Sequence, residues 1–327
     1  MTEPFAELRS ISASLGADPL LVQGAGGNTS IKIDGTMWIK ASGTWLSDAA
    51  RKDIFVPLDI PSLTAALLRD DPECESCTAF VRQDLNTSGL RPSIETSVHG
   101  LMRQRVVLHV HCVNTIAWMI LENAKQAVAG KMQGLDWAFV PYARPGLRLS
   151  QAIREVIRPE TSVLLLQNHG LVVAGDTVAE ATQRLREVID RLRREPAPVP
   201  SGASEELRSH VPAGYHVADD ARAHGIAFID WAIAAAGSNV YYPDHAVFLG
   251  THLPRKADGA SPAILIPGKG VLVKDGAKPV VEAMLGCLME VFRRLSPGDP
   301  LKPLTREEIG ALLNWDAEKY RQSLKQA

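Results

Sequence analysis

The sequence predicts an α/β protein built in two parts, and three observations carry that expectation. Short apolar runs of strand length alternate with segments of helical spacing along the chain. Asp34-Gly35 is a hairpin signal, and SVLLLQNHGLVVAGD places two apolar runs around a turn. EPAPVPSG, residues 195–202, is proline-rich without periodicity and reads as a linker. The expected organisation is a first domain over 1–194, the linker 195–202, and a smaller α/β domain over 203–327.

A helix at about 4–16 opens the chain. LVQGAGGNTSIKID sets a glycine-rich turn before an alternating strand, TMWIKAS is a second strand across the hairpin, and DIFVPLD is a third short apolar run. Segments 61–70 and 75–85 are expected to be helical. SIETSVHGLMRQR has helical spacing and leads into VVLHVHCV, and DWAFVPYA is another strand. A helix follows at about 148–157, then the two runs of 161–176. TVAEATQRLREVIDRLRR is an amphipathic helix with Thr177 as its cap and a basic end. Past the linker, SPAILIPGKGVLVKDG (261–276) matches TSVLLLQNHGLVVAGD (161–176) without a gap. Such an echo is either a repeated supersecondary unit or two units alike by physics. The later copy has Lys269 where the earlier has His169, and no HxH of its own. It is expected to be a degenerate, metal-free repeat that supports packing or assembly.

The bulk numbers exclude several classes. Net charge is -2, from 35 basic and 37 acidic side chains, so no basic excess points to nucleic acid or an anionic membrane. No apolar stretch reaches membrane-spanning length, and MTEPFAELRSISASLG lacks the pattern of a secretory signal. A soluble cytoplasmic protein is expected. Cys74 and Cys77 form a lone CxxC without the second pair a zinc ribbon needs. Cys112 and Cys287 sit in apolar runs and read as core thiols.

The chemistry starts at VVLHVHCV. In a strand, residues two apart share a face, roughly 7 Å apart along the chain. His109 and His111 therefore stand side by side under apolar cover, where two unpartnered imidazoles are costly. Either a metal ion lies between them or each hydrogen-bonds at a strand end, and the fragment alone leaves both readings open. His169, in LLLQNHGLVV, would be a third ligand, leaving a fourth position for water or substrate; it could equally cap a strand end. Glu95, in RPSIETSVHG, follows Pro92 and Ser93 at a helix start. It is either a first-turn acid favoured by the helix dipole or a general acid/base aimed at the metal pocket. His99 shares its helix face and would orient the glutamate or cover the core. GAGGNTS (24–30), ASGT (41–44) and RPS (91–93) are three loops of small donors, with Arg91 beside the last; together they suit a phosphate or carboxylate, and singly each is a plain turn.

GGNTS, ASGT, PSIE-x3-H, HVH and NHG, in this order and spacing, resemble the class II aldolase/adducin family, which includes fuculose-phosphate and rhamnulose-phosphate aldolases and ribulose-phosphate epimerase. The resemblance covers roughly residues 5–194. It implies a central, mainly antiparallel sheet with helices on both sides. It also implies a divalent metal, zinc or else manganese or cobalt, held by His109, His111 and His169. Glu95 takes the catalytic position, and Gly27, Asn28, Ser42, Gly43 and Ser93 take the phosphate-binding ones. Where many members have two serines before the glutamate, this chain has Ser93-Ile94, so one phosphate donor is missing. Residues 241–320, with YPDHAVFLG, PGKGVLV and LNWDAEKYRQ, are similar to the segment following the aldolase domain in longer members. In some of those a short-chain dehydrogenase domain comes next; no such fingerprint is present here, and redox chemistry is not implied.

The reaction so implied is aldol cleavage of a ketose phosphate through a metal-stabilised enediolate, with Glu95 shuttling a proton, to a dihydroxyacetone-phosphate-like ketone and an aldehyde. No lysine Schiff base is required, so Lys40 and Lys269 need no catalytic role. Epimerisation, or decarboxylation of an acid-sugar phosphate, uses the same intermediate and is the alternative. A non-catalytic, adducin-like assembly protein is the alternative from another class. The family also implies a homo-oligomer, a tetramer, with the pocket between subunits and Tyr142, Tyr241 and Tyr242 as candidates to complete it.

Overall fold

The computed structural model describes residues 3–316 and 319. Seven strands form one sheet: β1 (Asn28–Ile33), β2 (Thr36–Lys40), β3 (Phe55–Asp59), β4 (Val106–Val110), β5 (Trp137–Val140), β6 (Val163–Leu166) and β7 (Gly170–Gly175). Their order is β3-β2-β1-β4-β7-β6-β5. Every pairing is antiparallel except β5 with β6. Asp34 and Gly35 take φ of 47° and 76°, the left-handed pair that a tight hairpin between β1 and β2 requires.

Both faces of the sheet are covered. Val106, Leu108 and Val110 of β4 join one cluster with Leu8, Ile116 and Leu185, from the helices Glu3–Ala17, Val113–Met119 and Val178–Arg191. Val107, between them, joins Val98, Met102, Leu149 and Ile153 on the other face. This two-sided burial is why the central strands read as nearly continuous apolar runs. The Thr177 hydroxyl accepts from the Glu180 amide and starts the long helix as its sequence suggests.

Segment 75–85 departs from the helical expectation. It takes the last residue of one short 3-10 turn, Pro72–Glu75, and the whole of a second, Thr78–Phe80. Cys77 between them takes a φ of 56°, which no α-helix accommodates. Burial pushes the Cys74 thiol up to about 11 and Cys77 well above its usual range, so neither is a ready thiolate.

Beyond residue 194 a three-stranded sheet, β8 (Tyr215–Val217), β9 (Ala263–Ile266) and β10 (Gly270–Lys274), runs in the order β8-β10-β9. The echo has a structural counterpart. Leu166 pairs with Gly170 across the β6–β7 turn, and Ile266 with Gly270 across the β9–β10 turn. Each hairpin is followed by a long helix, Val178–Arg191 or Pro279–Phe292. The later region packs Tyr241, Met284, Leu288 and Phe292 into the same apolar cluster as β4. Residues 195–202 carry no regular structure, but Ala197 and Arg293 exchange hydrogen bonds. Tyr241 and Tyr242 are buried in that cluster, so in this chain they are core residues and do not line the pocket. The end of LNWDAEKYRQ lies outside the described residues.

Candidate metal centre

Antiparallel order gathers the site at one end of the three central strands, β1, β4 and β7. The end of β4 lies beside the start of β1, with Asn28 paired to His109, and beside the start of β7, with Val172 paired to His109. His111 follows β4 directly, and His169 sits in the β6–β7 turn, where Asn168 takes a φ of 53°. The loop before Glu95 runs against the end of β2: Ser93 N–H donates to Lys40 O and Ser42 N–H to Arg91 O. The three small-donor loops therefore converge. Gly27, Asn28, Ser42, Gly43 and Ser93 line one cavity together with Glu95, His111 and His169.

The three imidazoles meet there. One ligand atom from each of Glu95, His109, His111 and His169 lies within 4.8 Å of the others, and all four residues are buried. His109 Nε2 is 3.1 Å from His111 Nε2 and 3.3 Å from Glu95 Oε2, and His169 Nε2 is 3.2 Å from Glu95 Oε1.

Proton positions test whether a cation fits. His109 Nδ1 lies 3.0 Å from Leu171 O, and a carbonyl only accepts, so that nitrogen carries the proton. His111 Nδ1 lies 3.0 Å from Asp244 Oδ2 and carries its proton for the same reason. In the neutral rings both Nε2 atoms then present lone pairs to one another. Such a contact needs a proton or a cation between them. Among the described residues, His169 Nδ1 and Glu95 Oε1 are buried without hydrogen-bond partners. Three converging imidazole lone pairs with two second-sphere acceptors match the donor set of a divalent metal site with an open position.

Glu95 is held by a chain of polar contacts. Its Oε2 accepts from Asn28 Nδ2 at 2.7 Å, which leaves Asn28 Oδ1 to accept from His99 Nε2 at 2.5 Å. The Ser30 hydroxyl then donates to His99 Nδ1 at 2.7 Å. His99 thus orients Glu95 through Asn28, a joint form of the two roles its helix position suggested. Burial alone would raise the Glu95 carboxyl; His109 beside it outweighs burial and holds it well below the ordinary carboxylate range.

Asp244 escaped the sequence reading altogether, and Lys40 entered it only as a residue needing no catalytic role. Lys40, 2% exposed at the end of β2, lines the cavity and donates to Ala25 O at 2.8 Å, bringing a cation to the wall formed by Ser42, Gly43 and Ser93. The Ser42 hydroxyl beside it is buried with no hydrogen-bond partner among the described residues. Asp244 enters from the C-terminal region. The alternation of β2 sets Lys40 with Thr36 and Trp38, opposite Met37 and Ile39, so it reads as a polar strand end, and no local signal marks Asp244. A wider cavity of about 390 Å³ adjoins this one through Ser42 and Ile94, lined also by Arg91, Glu75 and Trp315.

The buried histidines set an acid limit on the fold. Burial pulls His99, His169 and His245 each down to about 3. An unfolded histidine binds its proton near 6.5, so as the pH falls below that value the unfolded chain gains protons that these folded sites refuse, and stability is lost. At pH 5 the loss is about 2 kcal/mol per histidine. His109 runs the other way: burial lowers it, but the Glu95 carboxylate outweighs burial and raises it, so its contribution is present below pH 6.5 and offsets part of the loss. Metal-free protein is expected to show a clearly lower urea midpoint at pH 5 than at pH 7; equal midpoints would contradict neutral burial.

Among the described residues, no helix is long and apolar enough to cross a membrane. The family described as class II aldolase and adducin N-terminal domain matches residues 6–194, more than half of the chain. An uncharacterized oxidoreductase of Bacillus subtilis strain 168, YuxG, is 30% identical over 195 residues, which are 56% of this chain and 28% of that protein; the chain thus matches little more than a quarter of its length. The N-terminal class II aldolase domain of a conserved protein from Thermoplasma acidophilum is 24% identical, with a TM-score of 0.49, over 57% of this chain and 90% of that one. An aldolase II superfamily protein from Pseudomonas syringae is 21% identical, with a TM-score of 0.42, over 59% and 74%.

Proposed function

Because the chain belongs to the class II aldolase and adducin family, we propose that it is a metal-dependent aldolase, splitting a ketose phosphate or related sugar into a dihydroxyacetone-phosphate-like ketone and an aldehyde. The observation that carries this reading is the convergence of three imidazole Nε2 atoms and one carboxylate, buried beside three loops of small donors. His109, His111 and His169 are the proposed ligands of a divalent cation, zinc in the first instance with manganese or cobalt as substitutes. Bound there, the cation supplies a Lewis acid for the negative charge that builds on substrate oxygens as the carbon–carbon bond breaks.

Every other step falls to the chain's own side chains. Glu95, ionised and aimed by Asn28, takes and returns the proton at the reacting carbon. Lys40, the Ser42 hydroxyl and the loops at Gly27, Gly43 and Ser93 hold the anionic end; Lys40 makes good the donor missing at Ile94. Asn28 acts mainly by placing Glu95, since its side-chain amide is committed to Glu95 and His99. The adjoining cavity of about 390 Å³ has the size of a small-molecule site and would take the aldehyde end.

The test pairs metal analysis with synthesis. Purified protein is expected to carry near-stoichiometric divalent metal and, with dihydroxyacetone phosphate and a panel of aldehydes, to form condensation products. A folded, metal-free protein that forms none with added metal would replace this reading with an adducin-like assembly role.

A further inference from the structure

Asp244 lies in the C-terminal region, at the start of the helix Pro243–Leu249, yet its carboxylate reaches the metal centre. Asp244 is 3% exposed, and its Oδ2 stands 3.0 Å from His111 Nδ1. A carboxylate buried this deeply is costly unless a donor compensates it, and the His111 ring nitrogen stands at ion-pair distance to supply one. The loop at 24–27 makes room for the pair. A Cβ on Gly26 would lie 2.8 Å from His111 Nδ1 and 2.9 Å from Asp244 Oδ2, so any larger residue there would wedge the two apart. The segment that carries Asp244 is also tied to the turn holding His169. Asn168 Nδ2 donates to Tyr241 O at 2.9 Å and to Lys302 O at 2.7 Å, and Leu304 N–H donates to Val240 O at 2.7 Å.

We propose that Asp244 is a positioning residue of the metal centre: it holds the Nδ1–H of His111, fixes that ring's tautomer and orientation, and keeps the Nε2 lone pair turned toward the cation. This rests on the metal reading above. The C-terminal region then completes the site, through Asp244 behind one ligand and through Tyr241 O and Lys302 O behind the residue next to another. A metal-bound imidazole is oriented and made more basic by an acceptor on its other nitrogen, and loss of such an acceptor weakens metal binding by about 10- to 100-fold.

Cobalt(II) titration of metal-depleted full-length protein tests this, with affinity read by chelator competition and geometry by the visible absorption of bound cobalt. Asp244→Ala is expected to bind cobalt about 10- to 100-fold more weakly and with an altered spectrum. The isosteric Asp244→Asn, which keeps an acceptor but not the charge, is expected to fall between, and it decides the matter if the alanine variant does not fold. If the parent binds cobalt and the folded variants match it in affinity and spectrum, Asp244 does not position His111, and the metal centre stands without it. A melting temperature lowered equally with and without cobalt, with an unchanged spectrum, likewise assigns Asp244 to packing alone and overturns the proposal. If the parent itself takes up no cobalt, the metal reading and this proposal fall together.

Discussion

Glu95→Gln is expected to lower the aldol turnover number by about 10²- to 10⁴-fold, the usual worth of a positioned acid–base group, while the metal content stays at the parent level. The substitution removes a proton acceptor and little else. Glutamine keeps the length of the side chain, and its amide oxygen still accepts from Asn28 Nδ2, the 2.7 Å contact that now aims the carboxylate. The imidazoles remain in place, since His109 is anchored by Leu171 O and His111 by Asp244. What goes is the ionised oxygen that His109 holds below the ordinary carboxylate range. Turnover and metal content measured on one preparation separate the cases. Parent-level turnover would remove Glu95 from the mechanism, and parallel loss of metal and turnover would make it a ligand.

That contrast also shows which parts of the site the residue order could display. HVH betrays itself because a strand repeats every two residues, so two polar rings under apolar cover stand out against β4. NHG is visible because a turn interrupts two apolar runs. Both are local patterns, and the sheet brings them together because β4 and β7 are antiparallel neighbours. Glu95 shows as an acid at a helix start, but the Asn28–His99–Ser30 chain behind it does not, since it spans separate elements. Lys40 looks like one more polar residue at a strand end until the loops at 24–27 and 91–95 fold over it. Asp244 is the extreme case. YYPDHAVFLG is a proline and an acid at a helix start by any local rule, and only the docking of the C-terminal region turns that acid toward His111. Segment 75–85 failed for the opposite reason: its composition permits a helix, and one left-handed residue, Cys77, ends it.

His169→Asn is expected to abolish tight metal binding. Asparagine suits a turn, so the hairpin between β6 and β7 should survive, and Asn168 beside it already accepts left-handed geometry. The change removes one of three proposed nitrogen ligands and leaves His109 and His111, two donors from one strand end, to hold the ion. Loss of a direct ligand should exceed the 10- to 100-fold effect of losing a residue behind one. The consequence for stability follows by mass action. A metal present at 100 times its dissociation constant stabilises the folded state by about 2.7 kcal/mol, and a variant whose affinity falls more than 100-fold loses nearly all of that gain. In thermal melts the parent should therefore rise by several degrees on addition of zinc, while His169→Asn should melt at one temperature with or without it. In the metal-free state the variant should stand close to the parent or slightly above it at pH 5, because it no longer carries a histidine whose buried form refuses a proton down to about 3. A variant that keeps both the zinc-dependent rise and stoichiometric metal would show that the ion is held without His169, and the proposed three-imidazole centre would not stand.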